Sequence, residues 1–140
     1  MRSTLLSVLT TVALVVPVSL SAPAATAAPA EAGSSVTGTW KGNVFGDNGA
    51  SAGYDAKVRI SKRNGTLRGK VSAGGCFGVW RFKGRSSGSY RFTEVITRDT
   101  TGGRCVKRVA VKVRRDGGKL RVTWREPTSG DTATMLARKA

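Results

Sequence analysis

From Tyr54 to Ile60 the chain alternates bulky or apolar side chains with charged ones, and the same two-residue period recurs as far as the C-terminus. Successive side chains of a β-strand point to opposite faces of the sheet, so this period predicts strands with one apolar face and one cationic face. Clusters of Gly, Asn, Asp and Ser, which are typical of tight turns, divide the pattern into eight runs. The runs are 36–44, 54–61, 66–72, 76–83, 89–97, 105–114, 119–126 and 132–138.

Eight short runs in succession predict an all-β protein. No window beyond the N-terminal segment has a helical apolar stripe, and 18 glycines disfavour long helices. A meander of hairpins leaves two sheet edges that invite aggregation, and pairing the first strand with the last removes both edges. We therefore expect an eight-stranded antiparallel up-and-down barrel rather than a two-sheet sandwich.

The parity of each run separates an interior set of side chains from an exterior set. Seven of the nine aromatic residues fall in the interior set. A barrel of eight strands is just wide enough to be filled by its own side chains or to hold one small ligand, so this many rings predict a filled interior without a large pocket. The interior set is Val36, Trp40, Val44, Tyr54, Val58, Ile60, Leu67, Val71, Trp80, Phe82, Tyr90, Phe92, Ile96, Val109, Val111, Val113, Leu120, Val122, Trp124 and Leu136.

The exterior set is strongly cationic. The chain has 24 Lys and Arg against 8 Asp and Glu and no His, a net charge of +16 that does not titrate near neutrality. Such a surface either keeps the protein soluble and protects strand edges, or it docks polyanions. The exterior cations on the runs are Lys41, Lys57, Arg59, Arg68, Lys70, Arg81, Lys83, Arg91, Arg108, Lys112, Arg114, Arg121 and Arg125.

The first 27 residues are typical of a secretory signal peptide. A basic start at Arg2 precedes a mostly apolar stretch from Leu5 to Leu20, and Ala25-Thr26-Ala27 forms a small-x-small cleavage site. We expect cleavage near Ala27, a flexible linker over 28–35, one barrel domain over 36–140 and no membrane-spanning segment in the mature protein. The predicted location is extracellular.

Export places both cysteines, Cys76 and Cys105, in an oxidising compartment, which predicts a disulfide. Two cysteines without histidines cannot build a tetrahedral zinc site, and no cofactor motif is present in the sequence, so we expect neither metal nor cofactor. The two cysteines flank the fifth run, and a bridge across a whole strand would be too long. We therefore expect it to close over the end of that run near Ile96 to Asp99.

Glu94 breaks the parity rule, because it shares a face with Phe92 and Ile96, which should be buried. A lone buried carboxylate is costly. If Phe92 lies opposite Val109, Glu94 lies opposite Lys107, and an inner-face ion pair would neutralise both. Alternatively, Glu94 reads a ligand. No second carboxylate or histidine accompanies it, so the sequence assigns no catalytic residue.

Gly38-Thr39-Trp40 at the start of the first run resembles the opening motif of the calycin superfamily, which includes lipocalins and avidins. In that superfamily an Arg on the last strand covers the Trp. The resemblance implies a barrel in which Arg138 covers Trp40 through a cation–π contact.

A closer likeness covers nearly all of the mature chain. It rests on 38–42, a glycine-flanked Cys76 with Gly78, Phe92-Thr93-Glu94, Cys105, 120–124 and 136–138. The chain resembles the small secreted two-cysteine β-domain of actinobacteria, also found in the extracellular parts of receptor-type serine/threonine kinases. This resemblance implies export, the disulfide, a structural Glu94, and a binding or sensing module rather than an enzyme.

The leading hypothesis from sequence is a secreted, monomeric binding module that associates electrostatically with anionic cell-wall or extracellular polymers. The rings are predicted to point inward, so base-specific nucleic-acid readout is not expected. The residues predicted to bind polyanions are Arg81, Lys83, Arg91, Arg108, Lys112 and Arg114.

Two alternatives remain open at the level of sequence. One is a receptor for a small ligand or peptide at the barrel mouth, read by Glu94 with Trp80 and Trp124; an open cavity that reaches Glu94 would support it. The other is a secreted protease inhibitor that presents the segment from Thr100 to Arg104 as a rigid loop.

Overall fold

The computed structural model describes residues 35–46 and 53–140. In this part of the chain eight antiparallel strands pair in sequence order, and the last pairs with the first, which closes the barrel. The predicted all-β, eight-stranded up-and-down barrel is confirmed. The strands are β1 Gly38–Gly46, β2 Tyr54–Arg63, β3 Thr66–Ala73, β4 Cys76–Ser86, β5 Ser89–Asp99, β6 Arg108–Asp116, β7 Lys119–Arg125 and β8 Thr132–Lys139.

The predicted signal peptide over 1–27 lies outside the described residues, as does the predicted linker over 28–35 except for Ser35. Extracellular export therefore stays a prediction. In residues 35–46 and 53–140, no helix has the length and apolar character needed to cross a membrane.

Tight turns connect several neighbouring strands. Asn64 and Gly65 join β2 to β3 with φ of 49° and 77°, the pair of positive values that a two-residue type I′ hairpin requires. Ser87 and Gly88 do the same between β4 and β5, with φ of 48° and 71°. The Asn64-Gly65 pair in the sequence therefore predicts this turn correctly, because both residues adopt the positive φ that the turn requires.

The boundary difference that matters for the site is at β6, which begins at Arg108 rather than at Cys105. A loop replaces the predicted start of the strand because the Asp99 carboxylate organises it. This carboxylate accepts hydrogen bonds from the backbone N–H and the hydroxyl of Thr101, both at 2.6 Å, and from the backbone N–H of Cys105 at 3.2 Å. We call residues 100–107 the rim loop.

The barrel interior is a single apolar core in which burial alternates along the strands. Parity was predicted wrongly on β8, where Leu136 is 40% exposed while Met135 and Ala137 are buried. Met135 lies opposite Val44 on β1 and Val122 on β7, both interior residues, and this pairing fixes the face of the whole strand.

Trp40 fills the end of the barrel where β1 begins. Its side chain is fully buried, and its indole N–H donates to the backbone oxygen of Val36 at 2.9 Å. The predicted cover by Arg138 is wrong, because Arg138 shares the outward parity of Leu136 and is exposed. Instead, the Arg115 guanidinium lies 4.8 Å and the Lys139 ammonium 5.9 Å from the Trp40 ring centroid. We call this end the closed end.

Candidate functional site

Glu94 is on β5 with its side chain inside the barrel and is only 6% exposed. It lies opposite Val109, and Phe92 lies opposite Val111, so the predicted register between these strands is wrong by two residues. The rim loop takes up the residues that the prediction gave to β6. Lys107 is exposed in that loop, and the described residues contain no ion pair between Glu94 and Lys107.

Two tryptophans replace the predicted lysine. The indole N–H groups of Trp80 and Trp124 each donate to Glu94 Oε2 at 2.7 Å. Trp80 lies directly opposite Glu94 on β4, and Trp124 reaches it from β7 across the interior. The two rings meet edge to face, with centroids 6.1 Å apart. The carboxylate is therefore held by neutral donors, a less complete compensation than a cation would give.

This environment changes the acidity of the group. Burial raises the pKa of Glu94 above its ordinary value, and the two indole hydrogen bonds oppose that rise. Both indoles engage Oε2, while Oε1 accepts no hydrogen bond from the described residues. A proton bound by Glu94 therefore resides on Oε1, because Oε2 already accepts two donors.

An open cavity of about 480 Å³ reaches Glu94 from the barrel end opposite the closed end. We call this end the mouth. The expectation of an interior without a large pocket is wrong, because the buried rings are concentrated between the closed end and Glu94 and do not fill the mouth. Trp40, Trp80 and Phe92 fill that region, whereas smaller side chains such as Ala73, Val109 and Ala133 line the cavity. Two aromatic rings, those of Tyr54 and Trp124, also line the cavity.

The lining of the cavity is acidic. Glu94, Glu126 and Asp131 contribute carboxyl groups, and Arg104 is the one Lys or Arg among the described lining residues. The side chain of Ser129 lowers the pKa of the Glu126 carboxyl group to about 2, together with hydrogen bonds that the backbone N–H groups of Ser129 and Thr128 donate to it. Glu126 is therefore negatively charged at neutral pH.

The described residues contain no group of three His, Cys, Asp or Glu side chains close enough to hold a metal ion. Glu94, Glu126 and Asp131 thus line the same cavity, but they are not arranged closely enough to bind one metal ion together.

The disulfide lies at the edge of the same cavity. Cys76 and Cys105 are bonded with their Cα atoms 5.7 Å apart, and both line the cavity. Cys76 pairs with Asp99, the last residue of β5, so the bridge closes over the end of that strand as predicted. It fixes the rim loop to β4 beside the mouth.

The exterior cations form a belt around the barrel. All six residues predicted to bind polyanions are exposed. Several cations lie directly opposite another cation on the neighbouring strand, and one ion pair forms among the described residues, between Arg121 and Asp116 at 2.6 Å. The facing like-charge pairs are Lys41–Lys57, Lys41–Arg138, Arg59–Lys70, Arg68–Arg81, Arg91–Lys112 and Arg114–Arg121.

One part of this belt is concave. A groove of about 350 Å³ on the outer face of β2 to β5 is lined by Lys57, Arg59 and Lys70 together with the ring of Phe77. The guanidinium of Arg98 lies 3.9 Å from the Phe77 ring centroid. The sequence placed the three cations outside but gave no reason to group them, because a groove depends on strand curvature.

Sequence reasoning missed Glu126 and Asp131 as lining residues of the mouth. Glu126 is the last residue of the seventh run and has the same parity as the buried Trp124, so extending the interior set by one position along that run would have placed it at the interior edge. Asp131 lies in the loop before β8, and no periodic pattern applies there.

In comparisons with known proteins, no protein-family model, no curated protein and no solved structure matches the chain.

Proposed function

We propose that the protein is a secreted binding module whose cationic belt associates with anionic polymers of the cell envelope or its surroundings. The observation that carries the proposal is the set of six facing like-charge pairs with a single ion pair among the described residues. Like charges directly opposite one another destabilise a sheet. A polyanion that lies across the strands neutralises both members of each pair.

The acidic residues of the chain support this interpretation. Glu94 is engaged by indoles, Asp99 by the rim loop and Glu126 by a turn, so these carboxylates are used within the fold rather than to pair belt cations. The cations therefore remain available to phosphate, sulfate or carboxylate groups of a partner. The groove lined by Lys57, Arg59 and Lys70 presents three of them on one concave surface.

Retention on immobilised heparin and on teichoic-acid-containing wall fractions, measured against salt concentration, tests the proposal. Affinity governed by phosphate contacts falls steeply with salt, by roughly one logarithmic unit per contact for each tenfold change in salt. Charge reversal of Arg81, Lys83 and Arg91 is expected to lower both retention and its salt dependence.

The matched control reverses three exposed cations at strand ends, Lys62, Arg63 and Lys119, and changes the net charge by the same amount. If both triple variants lose retention equally, net charge alone accounts for the binding and the belt has no special role. If neither loses it, the proposal is wrong.

The inhibitor hypothesis stays a prediction. The segment from Thr100 to Arg104 belongs to the disulfide-anchored rim loop, where the Arg104 side chain donates to the backbone oxygen of Thr101 at 3.1 Å. A pull-down against extracellular proteases with the wild-type chain and an Arg104→Ala variant tests it.

A further inference from the structure

We propose that the mouth of the barrel is a second binding site, distinct from the cationic belt, and that it takes a small organic cation with an ammonium or guanidinium group on an apolar body. The site consists of Glu94 at the base, aromatic and aliphatic walls, and acidic residues at the edge. It does not depend on the polyanion proposal, because none of its side chains belongs to the belt.

The charge of the cavity identifies the class of ligand. The chain as a whole carries +16, yet three carboxyl groups and one guanidinium line the cavity among the described residues. A cavity walled by low-dielectric protein focuses the field of the charges at its surface. A cationic ligand is therefore attracted into the mouth although the rest of the molecule repels it.

Glu94 supplies the specific contact. Its Oε2 is saturated by the indoles of Trp80 and Trp124, while Oε1 has no donor among the described residues. Oε1 is not among the buried polar atoms that lack a partner in the described residues, so it is accessible from the cavity, where an N–H of a cationic ligand would form a charge-assisted hydrogen bond with it. The two indoles also fix the orientation of the carboxylate, so the site is organised before the ligand arrives.

The walls favour a ligand that carries an apolar group behind its charge. Tyr54 and Trp124 offer ring surfaces that attract cations, and Val44, Ile96 and Val109 offer aliphatic surface. A volume of about 480 Å³ lies within the range of sites that enclose small organic ligands. A bare inorganic cation would leave most of this surface uncovered.

An anionic ligand fits the same observations poorly. Its charge would face Glu94, Glu126 and Asp131, with Arg104 as the one opposing group among the described lining residues. Glu126 is held in its charged form by the side chain of Ser129 and by the backbone donors of Ser129 and Thr128, so protonation of Glu94 alone would not remove the repulsion.

Three probes that share one phenylpropyl body and differ in charge test the proposal: phenylpropylamine, phenylpropanol and phenylpropionate. Binding to the ¹⁵N-labelled protein is followed through the indole N–H signals in NMR spectra, at a salt concentration that suppresses binding to the belt. The amine is expected to shift the signals of Trp80 and Trp124, while Trp40 at the closed end serves as the internal control.

Glu94→Gln is expected to weaken binding of the amine by roughly tenfold or more, the range for losing a hydrogen bond to a charged group. Asp116→Asn removes a carboxylate at the closed end and should leave the affinity unchanged. If Glu94→Gln does not fold, Ala133→Leu, which narrows the cavity and keeps the carboxylate, should also weaken binding.

The proposal is overturned if the alcohol or the propionate binds as tightly as the amine, or if the amine leaves the Trp80 and Trp124 signals unchanged. Equal weakening by Glu94→Gln and Asp116→Asn would overturn it as well. The triple belt variant should bind the amine like the wild type, so failure here and failure of the polyanion proposal are separate results.

Discussion

Replacing Trp124 by Phe removes one of the two donors of a buried carboxylate and leaves the rest of the ring in place. The indole N–H lies 2.7 Å from Glu94 Oε2, a distance in the range of charge-assisted hydrogen bonds. Loss of such a bond costs about 1.5–3 kcal/mol, and the smaller ring of Phe costs about 1 kcal/mol more in buried apolar surface. We expect the free energy of unfolding to fall by about 2.5–4 kcal/mol in total.

A double-mutant cycle with Glu94→Gln isolates the hydrogen bond from the packing. In the Glu94→Gln background the same indole meets a neutral acceptor, where a hydrogen bond contributes about 0.5–1.5 kcal/mol. Trp124→Phe should then cost about 1–1.5 kcal/mol less than in the wild type, and this difference is the coupling energy. Urea denaturation at neutral pH, followed by far-ultraviolet circular dichroism, measures all four proteins without relying on the altered fluorophore.

A coupling energy below about 0.3 kcal/mol would contradict the reasoning, because independent sites add to within that error. So would a total cost below about 1 kcal/mol, which packing alone explains. Trp40→Phe is the matched comparison, since its indole donates to a backbone oxygen and should show no coupling to Glu94.

Further predictions concern the interior, the carboxyl group and the bridge. Gly69→Ala should destabilise the barrel by about 1–3 kcal/mol, because a Cβ there would lie 2.8 Å from the ring of Trp80; Gly118→Ala, with no atom within 4 Å, should stay within about 0.5 kcal/mol. Burial raises the pKa of Glu94 in the folded state, so its contribution to stability is full below the unfolded value near 4.5 and is lost as pH rises through the folded pKa. Glu94→Gln should remove that downward slope of unfolding free energy with pH, and an unchanged slope would contradict this. Replacing both cysteines by serine should lower the free energy of unfolding by about 3–4 kcal/mol, given their separation of 29 residues; a loss below about 1 kcal/mol would show that the bridge adds little.

The architecture could be predicted from sequence because its causes are local. Alternation along each run specifies strands, and Asn64-Gly65 specifies a hairpin turn whatever the rest of the chain does. The position of the disulfide followed from reach alone, since Cys76 and Cys105 could meet only over the end of one strand.

The register between β5 and β6 could not be predicted, because it depends on how many residues the connecting loop consumes. The Asp99 carboxylate accepts hydrogen bonds from Thr101 and Cys105 and so lengthens that loop. As a result, the residue opposite Glu94 is Val109 instead of the predicted Lys107. A shift of two residues keeps every side chain on its predicted face, so parity gave no warning of it.

The face of β8 and the open mouth were missed for a related reason. The run from 132 to 138 has small, polar and apolar residues on both faces, so its pattern suits Met135 and Leu136 about equally to the interior. Pairing with the neighbouring strands places Met135 inside. The number of interior rings is readable from sequence, but their height along the barrel axis depends on the stagger of all eight strands. Sequence therefore identified most of the interior rings and missed the cavity that opens beside them.

The uneven distribution of acids gives the barrel an electric polarity along its axis. Of the six acidic residues that the structure describes, Asp116 alone lies toward the closed end; the other five, Asp55, Glu94, Asp99, Glu126 and Asp131, lie toward the mouth. Near an anionic surface such a molecule experiences a torque that draws its cationic end inward. A barrel adsorbed in this way would present its opening to the surrounding medium, where small solutes can reach it.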